Sequence, residues 1–126
     1  GKFAFDRPPL YAEALHCNTS YITAVANDYS YNQIYSRLIN ANGKPNDILI
    51  ALSTSGNSPN IIEAIKTANN KKMITIGLTG NTGGMMNNIC HHIIKIPSSN
   101  TPRIQEMHIF IGHIICEIVE FKLFKS

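Results

Sequence analysis

No run in this 126-residue chain approaches the roughly 20 consecutive apolar residues that a membrane-spanning helix needs. Nor does a basic segment precede an apolar block and a small-residue cleavage site, so no secretory leader is read. Charge is sparse: charged residues make up 15% of the chain, and the net charge of +3 comes from scattered rather than striped lysines. Nucleic-acid binding needs a concentrated basic face and therefore has no support. Cysteine is limited to Cys17, Cys90 and Cys116, an odd number with no motif spacing. These read as reduced thiols in a cytoplasmic protein. Long internal repeats and low-complexity linkers are lacking too, and the length suits one domain over residues 1–126. The starting Met is missing as well. Since Gly1-Lys2-Phe3 carries no start signal, the expectation is a domain incomplete at its amino terminus.

What is present centres on Asp47-Ile-Leu-Ile-Ala-Leu-Ser-Thr-Ser-Gly-Asn-Ser58. Ile48 to Leu52 has the length and β-branched content of a strand buried on both faces. The run breaks into Ser53, Thr54, Ser55 and Ser58 around Gly56, and then Ile61, Ile62, Ile65 and Ala68 recur at helical spacing. A polar loop thus joins a strand's carboxyl end to a helix's amino end, where unpaired N–H groups and the helix dipole favour an anion. Ser58 with Pro59 after it could be a plain helix cap. A cap needs one hydroxyl and this loop has several, so phosphate binding is the stronger expectation.

Before that core, Arg7-Pro8-Pro9 is a breaker and Leu10 to Leu15 reads as a short strand. Thr19 or Ser20 is expected to cap a helix through Ile22, Val25 and Ala26, and a second helix carries Ile34, Leu38 and Ile39 until Asn42-Gly43 stops it. After a helix from Pro59 to about Asn70, Met73 to Leu78 is a buried strand that ends in a second polar turn, Thr79 to Gly84. A short helix from Met85 to Ile89, a strand from Ile93 to Ile96, a loop from Ser98 to Pro102 and a long helix from about Arg103 to Phe124 complete the chain. Alternating strands and helices predict an α/β fold with a parallel sheet covered on both faces, three layers in all. Ligands of such sheets bind beyond the carboxyl ends of the strands, where both polar loops lie.

Gln105, Glu106, His108 and His113 are polar exceptions in an apolar last helix, which is expected to be buried on more than one face. A histidine there is most often a satisfied core residue. His113, between Gly112 and Ile114-Ile115, is expected in an apolar setting that would keep it neutral, fit to bind a metal or carry a proton. Gln105 and His113 lie eight residues apart, roughly 12 Å along a helix axis, so they meet at one atom only by leaning or with help from a neighbouring subunit. His91-His92 beside Cys90 lacks a second liganding pair and reads as strand entry. Asp28, after Asn27, suits a turn cap or a substrate-hydroxyl contact equally, while Glu63 and Glu106 sit where a helix dipole already explains an acid.

Ile50 to Ile61 resembles the phosphosugar loop of SIS (sugar isomerase) domains, and Leu78 to Gly84 resembles their second loop. Arg103-Ile-Gln-Glu-Met-His108, Gly112-His-Ile-Ile-Cys-Glu117 and Asn27-Asp28-Tyr-Ser-Tyr-Asn-Gln-Ile-Tyr35 are similar to the bacterial phosphoheptose isomerases in particular. The resemblance covers nearly the whole chain. It implies a flavodoxin-like subunit, a homotetramer with shared active sites, and isomerisation of sedoheptulose 7-phosphate to heptose 7-phosphate for bacterial surface polysaccharide. It further implies that Ser53, Thr54, Ser55 and Ser58 hold the substrate phosphate and that Asn27 and Asp28 contact the sugar. Gln105 and His113 match zinc ligands, with Gln105 also near substrate and His113 the general acid–base partner.

The departure lies upstream. Family members carry a helix bearing a His and a Glu four residues apart, which complete the zinc site and supply the base. Nothing in the stretch before Asn27 matches that upstream pair, and His16 has no Glu four residues later. The implied chemistry is proton transfer through an enediol, with zinc polarising the oxygens and the phosphate anchoring the remote end. Two rivals share the fold. One is a non-catalytic SIS protein that binds the bacterial replication initiator DnaA, against which His113 and the Ser-Thr-Ser loop argue. The other is a sugar-phosphate-sensing module of transcription regulators, against which the lack of a helix-turn-helix or basic patch argues.

Overall fold

Three short apolar runs form one parallel sheet in a computed structural model of the chain, which describes residues 1–125. Strands β1 (Ile48–Leu52), β2 (Ile74–Thr79) and β3 (His92–Lys95) lie in that order, with Ile50 opposite Ile76 and Leu78 opposite Ile94. The helices are α1 (Thr19–Asp28), α2 (Ile34–Asn42), α3 (Pro59–Asn70) and α4 (Thr101–Phe124), and 3₁₀ turns occupy Tyr31–Gln33 and Gly84–Asn88. The α/β fold and its parallel sheet therefore follow the pattern read from the sequence.

The core lies on one face of the sheet. Ile62 and Ile65 of α3 pack with Ala51 of β1 and Met86, while Ala64 and Ala68 pack with Ile39 of α2 and Met73. These are the apolar positions of α3 at helical spacing, so one stripe accounts for the attachment of the helix. A network fixes the other end of the sheet: the Thr75 hydroxyl donates to Asn69 Oδ1 at 3.0 Å and accepts from His91 N–H at 3.1 Å. His91 Nδ1 accepts from Thr75 N–H at 3.1 Å, and the Asn69 amide donates to the Ile89 carbonyl at 2.8 Å. His91, read as mere strand entry, thus ties β2 to the turn before β3.

Several local expectations differ. The cap of α1 is Asn18, whose side chain accepts from Tyr21 N–H; Thr19 already lies inside the helix. The segment after Met85 is a 3₁₀ turn, and α4 starts at Thr101, so Pro102 falls in its first turn. No strand forms over residues 10–15, where Leu10 and Tyr11 are exposed. A strand needs a paired edge, and this segment has none; only Leu15 packs against the core.

Burial on both faces was expected for β1, yet Ile48, Ile50 and Leu52 are exposed, as are Ile74 and Ile94 beside them. The second face is covered only at the carboxyl end of β2. There His108 of α4 is buried with Nε2 3.2 Å from the Thr79 carbonyl, and Leu78 and Ile104 are buried at the same corner. The rest of α4 leaves the sheet with Ile109, Phe110, Ile118 and Phe121 exposed, against the expected burial on more than one face.

The far end of α4 is held by the start of the chain instead. Glu120 is 1% exposed; its carboxylate accepts from Phe3 N–H at 2.9 Å, Ala4 N–H at 2.6 Å and Arg7 Nε at 2.7 Å. Burial alone would raise its pKa, but the two backbone donors and Arg7 outweigh that and lower it from 4.5 to about 2. A depressed folded value stabilises the fold above the unfolded pKa, and that stability is lost as pH falls from about 4.5 to 2. Urea unfolding should therefore show a wild-type advantage over Glu120→Gln at pH 7 that shrinks across this window. An advantage independent of pH would contradict the clasp.

Candidate functional site

After Leu52 the chain turns through Ser53 to Ser58 and enters α3 with Pro59 in the first turn. Ser58 occupies the N-cap position, but its hydroxyl makes no capping bond. It lies 2.9 Å from the hydroxyl of buried Ser53, which is 3.4 Å from the Ser55 hydroxyl. Capping alone therefore does not explain Ser58. Its carbonyl, by contrast, accepts from Ile61 and Ile62 N–H at 3.0 Å and starts the helix.

The second polar turn is pressed against this loop, backbone on backbone. Gly56 has φ +69°, and a Cβ there would overlap the carbonyl oxygen of Gly83; a Cβ on Gly84 (φ +51°) would lie 2.5 Å from the Ser55 carbonyl oxygen. Only glycine combines a left-handed backbone with so close an approach. Hydrogen bonds then lock the loops together: Gly80 N–H donates to the Thr54 carbonyl at 2.9 Å, and Met86 N–H to the Gly56 carbonyl at 3.1 Å. The third strand's loop joins through Asn81 N–H and the Ser98 carbonyl at 3.2 Å.

These contacts enclose a cavity of about 310 Å³ beyond the carboxyl ends of the strands. Thr54, Ser55 and Asn57 line it from the first loop, Asn81 and Thr82 from the second, and Ser98, Ser99 and Thr101 from the third loop and the start of α4. The lining holds neither Lys nor Arg, so an anion would be met by hydroxyls, amides and a helix amino end. A larger cleft of about 550 Å³ lies on the other side of Asn57, between Ser30, Gln33 and Ser36 and the first turns of α3.

Of the residues singled out in the sequence, Thr54 and Ser55 face the cavity, while Ser53 and Ser58 form the hydroxyl pair outside its lining. Asn27 and Asp28 are exposed at the end of α1, joined by an Asn27 Nδ2 to Asp28 Oδ1 bond of 3.1 Å, and line neither cleft. Gln105 is exposed and follows Ile104, which touches the cavity. His113 is also exposed, with its ring 5.8 Å from that of Phe3, so the apolar enclosure expected of it is not provided. Asn57, Asn81, Ser98, Ser99 and Thr101 were not singled out from the sequence. Their signal was their place at the carboxyl ends of adjacent strands.

Among the described residues no three His, Cys, Asp or Glu side chains are grouped to hold a metal ion. Gln105 and His113, two exposed donors on one helix, do not by themselves make a zinc site. All three cysteines are free thiols, and no helix of the described residues is long and apolar enough to cross a membrane.

The family model described as SIS domain matches residues 1–80. This chain belongs to the SIS domain family. Its relatives sharpen that placement. The SIS chain is 52% identical over 125 residues to a phosphoheptose isomerase of Aneurinibacillus thermoaerophilus, covering 99% of this chain and 63% of that protein. It is 51% identical over 123 residues to phosphoheptose isomerase 2 of Campylobacter jejuni, covering 98% and 61%. A solved phosphoheptose isomerase from Francisella tularensis superposes with TM-score 0.87 at 40% identity, over 90% of this chain and 61% of that one. The Neisseria gonorrhoeae structure gives 0.83 at 39%, over 85% and 61%. The SIS chain thus spans about three fifths of the length of the relatives it matches.

Proposed function

We propose that this SIS domain serves a phosphoheptose isomerase, converting sedoheptulose 7-phosphate to D-glycero-D-manno-heptose 7-phosphate for bacterial surface heptose. The observation that carries the proposal is identity of about half of all positions, over nearly the whole chain, to proteins of that name. The cavity supports it, because its size and neutral donors suit a phosphate better than a bulky apolar ligand.

In this reading Ser53, Thr54, Ser55 and Ser58 form the phosphate loop, Thr54 and Ser55 from the cavity lining and Ser53 and Ser58 as the paired hydroxyls next to it. Binding energy from that remote group orients the sugar, whose reacting end extends toward Gln105 and His113. Asn27 and Asp28 contact the sugar hydroxyls, and His113 moves a proton between carbonyl and neighbouring carbon. Zinc belongs to this proposal only as an ion that Gln105 and His113 would hold together with donors outside this chain, polarising the sugar oxygens when bound. Exposed apolar side chains on the sheet, such as Ile48, Ile50 and Ile94, and on α4 mark faces available for association; a cytoplasmic homotetramer is part of the same proposal. The initiator-binding and sensing readings gain nothing from the relatives' names.

The test is turnover of sedoheptulose 7-phosphate by the intact protein, followed by NMR of the sugar's anomeric signals, with sedimentation to read the assembly. Conversion of the phosphorylated sugar and none of unphosphorylated sedoheptulose is expected. Binding without conversion under any metal supplement would end the isomerase reading.

A further inference from the structure

The Asn57 side chain makes contacts that neither a helix start nor an anion loop requires. Its Oδ1 accepts from Met85 N–H at 2.9 Å, across 28 residues of chain, and its Nδ2 donates to the Ser55 carbonyl at 3.2 Å. The Asn57 backbone N–H donates to the Ser55 hydroxyl at 3.1 Å. A hydroxyl has one proton and two acceptor sites. With one acceptor site occupied by Asn57 N–H, the proton of Ser55 remains for another oxygen. The nearest within the loop, Ser53 Oγ, is 3.4 Å away, beyond good hydroxyl–hydroxyl range. Ser55 lines the cavity, so a ligand oxygen there is its natural acceptor. Asn57 itself lines both clefts and forms the ridge between them.

We infer that Asn57 is a positioning residue for the phosphate end of the substrate. It staples the first loop to the Gly84–Asn88 turn, which holds Ser55 with its hydroxyl proton directed into the cavity. The inference rests on the sugar-phosphate reading given above. Met85 and Asn57 are both exposed, so losing the staple leaves groups that water can satisfy, and the fold survives. What is lost is preorganisation, which shows as weaker binding rather than slower chemistry.

The experiment compares Asn57→Ala and Asn57→Asp in the intact protein, with sedoheptulose 7-phosphate as substrate. Asn57→Ala should raise KM roughly tenfold and leave kcat within about threefold and Tm within about 3 °C. Asn57→Asp keeps an acceptor for Met85 N–H but loses the donor to Ser55 and sets a negative charge beside the phosphate. Its KM should exceed that of Asn57→Ala at low salt, and the excess should fade at about 0.5 M salt. That charge-dependent excess shows that position 57 lies beside the bound phosphate, and the KM rise of Asn57→Ala at unchanged kcat and Tm reports the positioning. Unchanged KM in both variants overturns the assignment, as does a KM rise that follows a fallen Tm and ignores salt. A wild-type protein that neither binds nor converts the sugar phosphate overturns the functional reading, and this assignment with it.

Discussion

Gly56→Ala should cost roughly 3 kcal/mol of stability and abolish sugar-phosphate binding at any practical concentration. Two penalties combine. The left-handed φ of +69° disfavours any Cβ, by about 1–2 kcal/mol, and the new methyl would overlap the Gly83 carbonyl oxygen. Gly83 can yield only by pulling away from Gly56, which breaks the Met86 N–H to Gly56 carbonyl bond and opens the clamp between the loops. The cavity exists because those loops touch, so its loss follows from the same displacement. Gly112→Ala is the control: nothing lies within 4 Å of a Cβ at that helical position. It should be neutral or gain up to about 1 kcal/mol of helix propensity. Urea unfolding reads both variants, and calorimetric titration with sedoheptulose 7-phosphate reads the binding. Gly56→Ala that binds like wild type would show that the clamp does not build the site.

This contrast marks how far the sequence could be read. The β1, loop and α3 unit was legible because its signals are local: a β-branched run, a hydroxyl cluster, Pro59 in the first turn, then Ile62 and Ile65 at helical spacing. The pressing of Gly84 onto Ser55 was not, since it depends on two turns meeting in space and sequence marks each only as a turn. Hydropathy misled in α4 for a different reason. Ile109, Phe110 and Ile118 state that the helix has apolar faces, but composition does not state what covers them, and in this chain they are exposed. The Glu120 clasp was missed too. Its signal, an acid among apolar residues near a helix end with Arg7 far upstream, gains meaning only when the two segments are brought together. The same limit applies to Leu10 to Leu15, whose apolar run has no strand beside it to pair with.

His113 provides the second large effect, and its exposure makes the test clean. The ring rests against Phe3 and is otherwise open, so His113→Ala should leave stability within about 0.5 kcal/mol. Any fall in turnover then reports chemistry and not unfolding. Loss of a positioned proton carrier typically removes a factor of roughly 10²–10⁴, and a drop of that size in kcat is expected with sedoheptulose 7-phosphate and the intact protein. Gln105→Ala extends the test, because Gln105 lies eight residues earlier on α4, directly after Ile104, which lines the cavity. If the two side chains serve one reacting centre, the double variant should be scarcely worse than His113→Ala alone, as residues acting as a unit are strongly non-additive. Independent roles would instead multiply the two losses. Turnover within threefold of wild type for His113→Ala would remove it from the chemistry and leave α4 a scaffold whose first turn supplies Thr101 and Ile104 to the lining of the cavity.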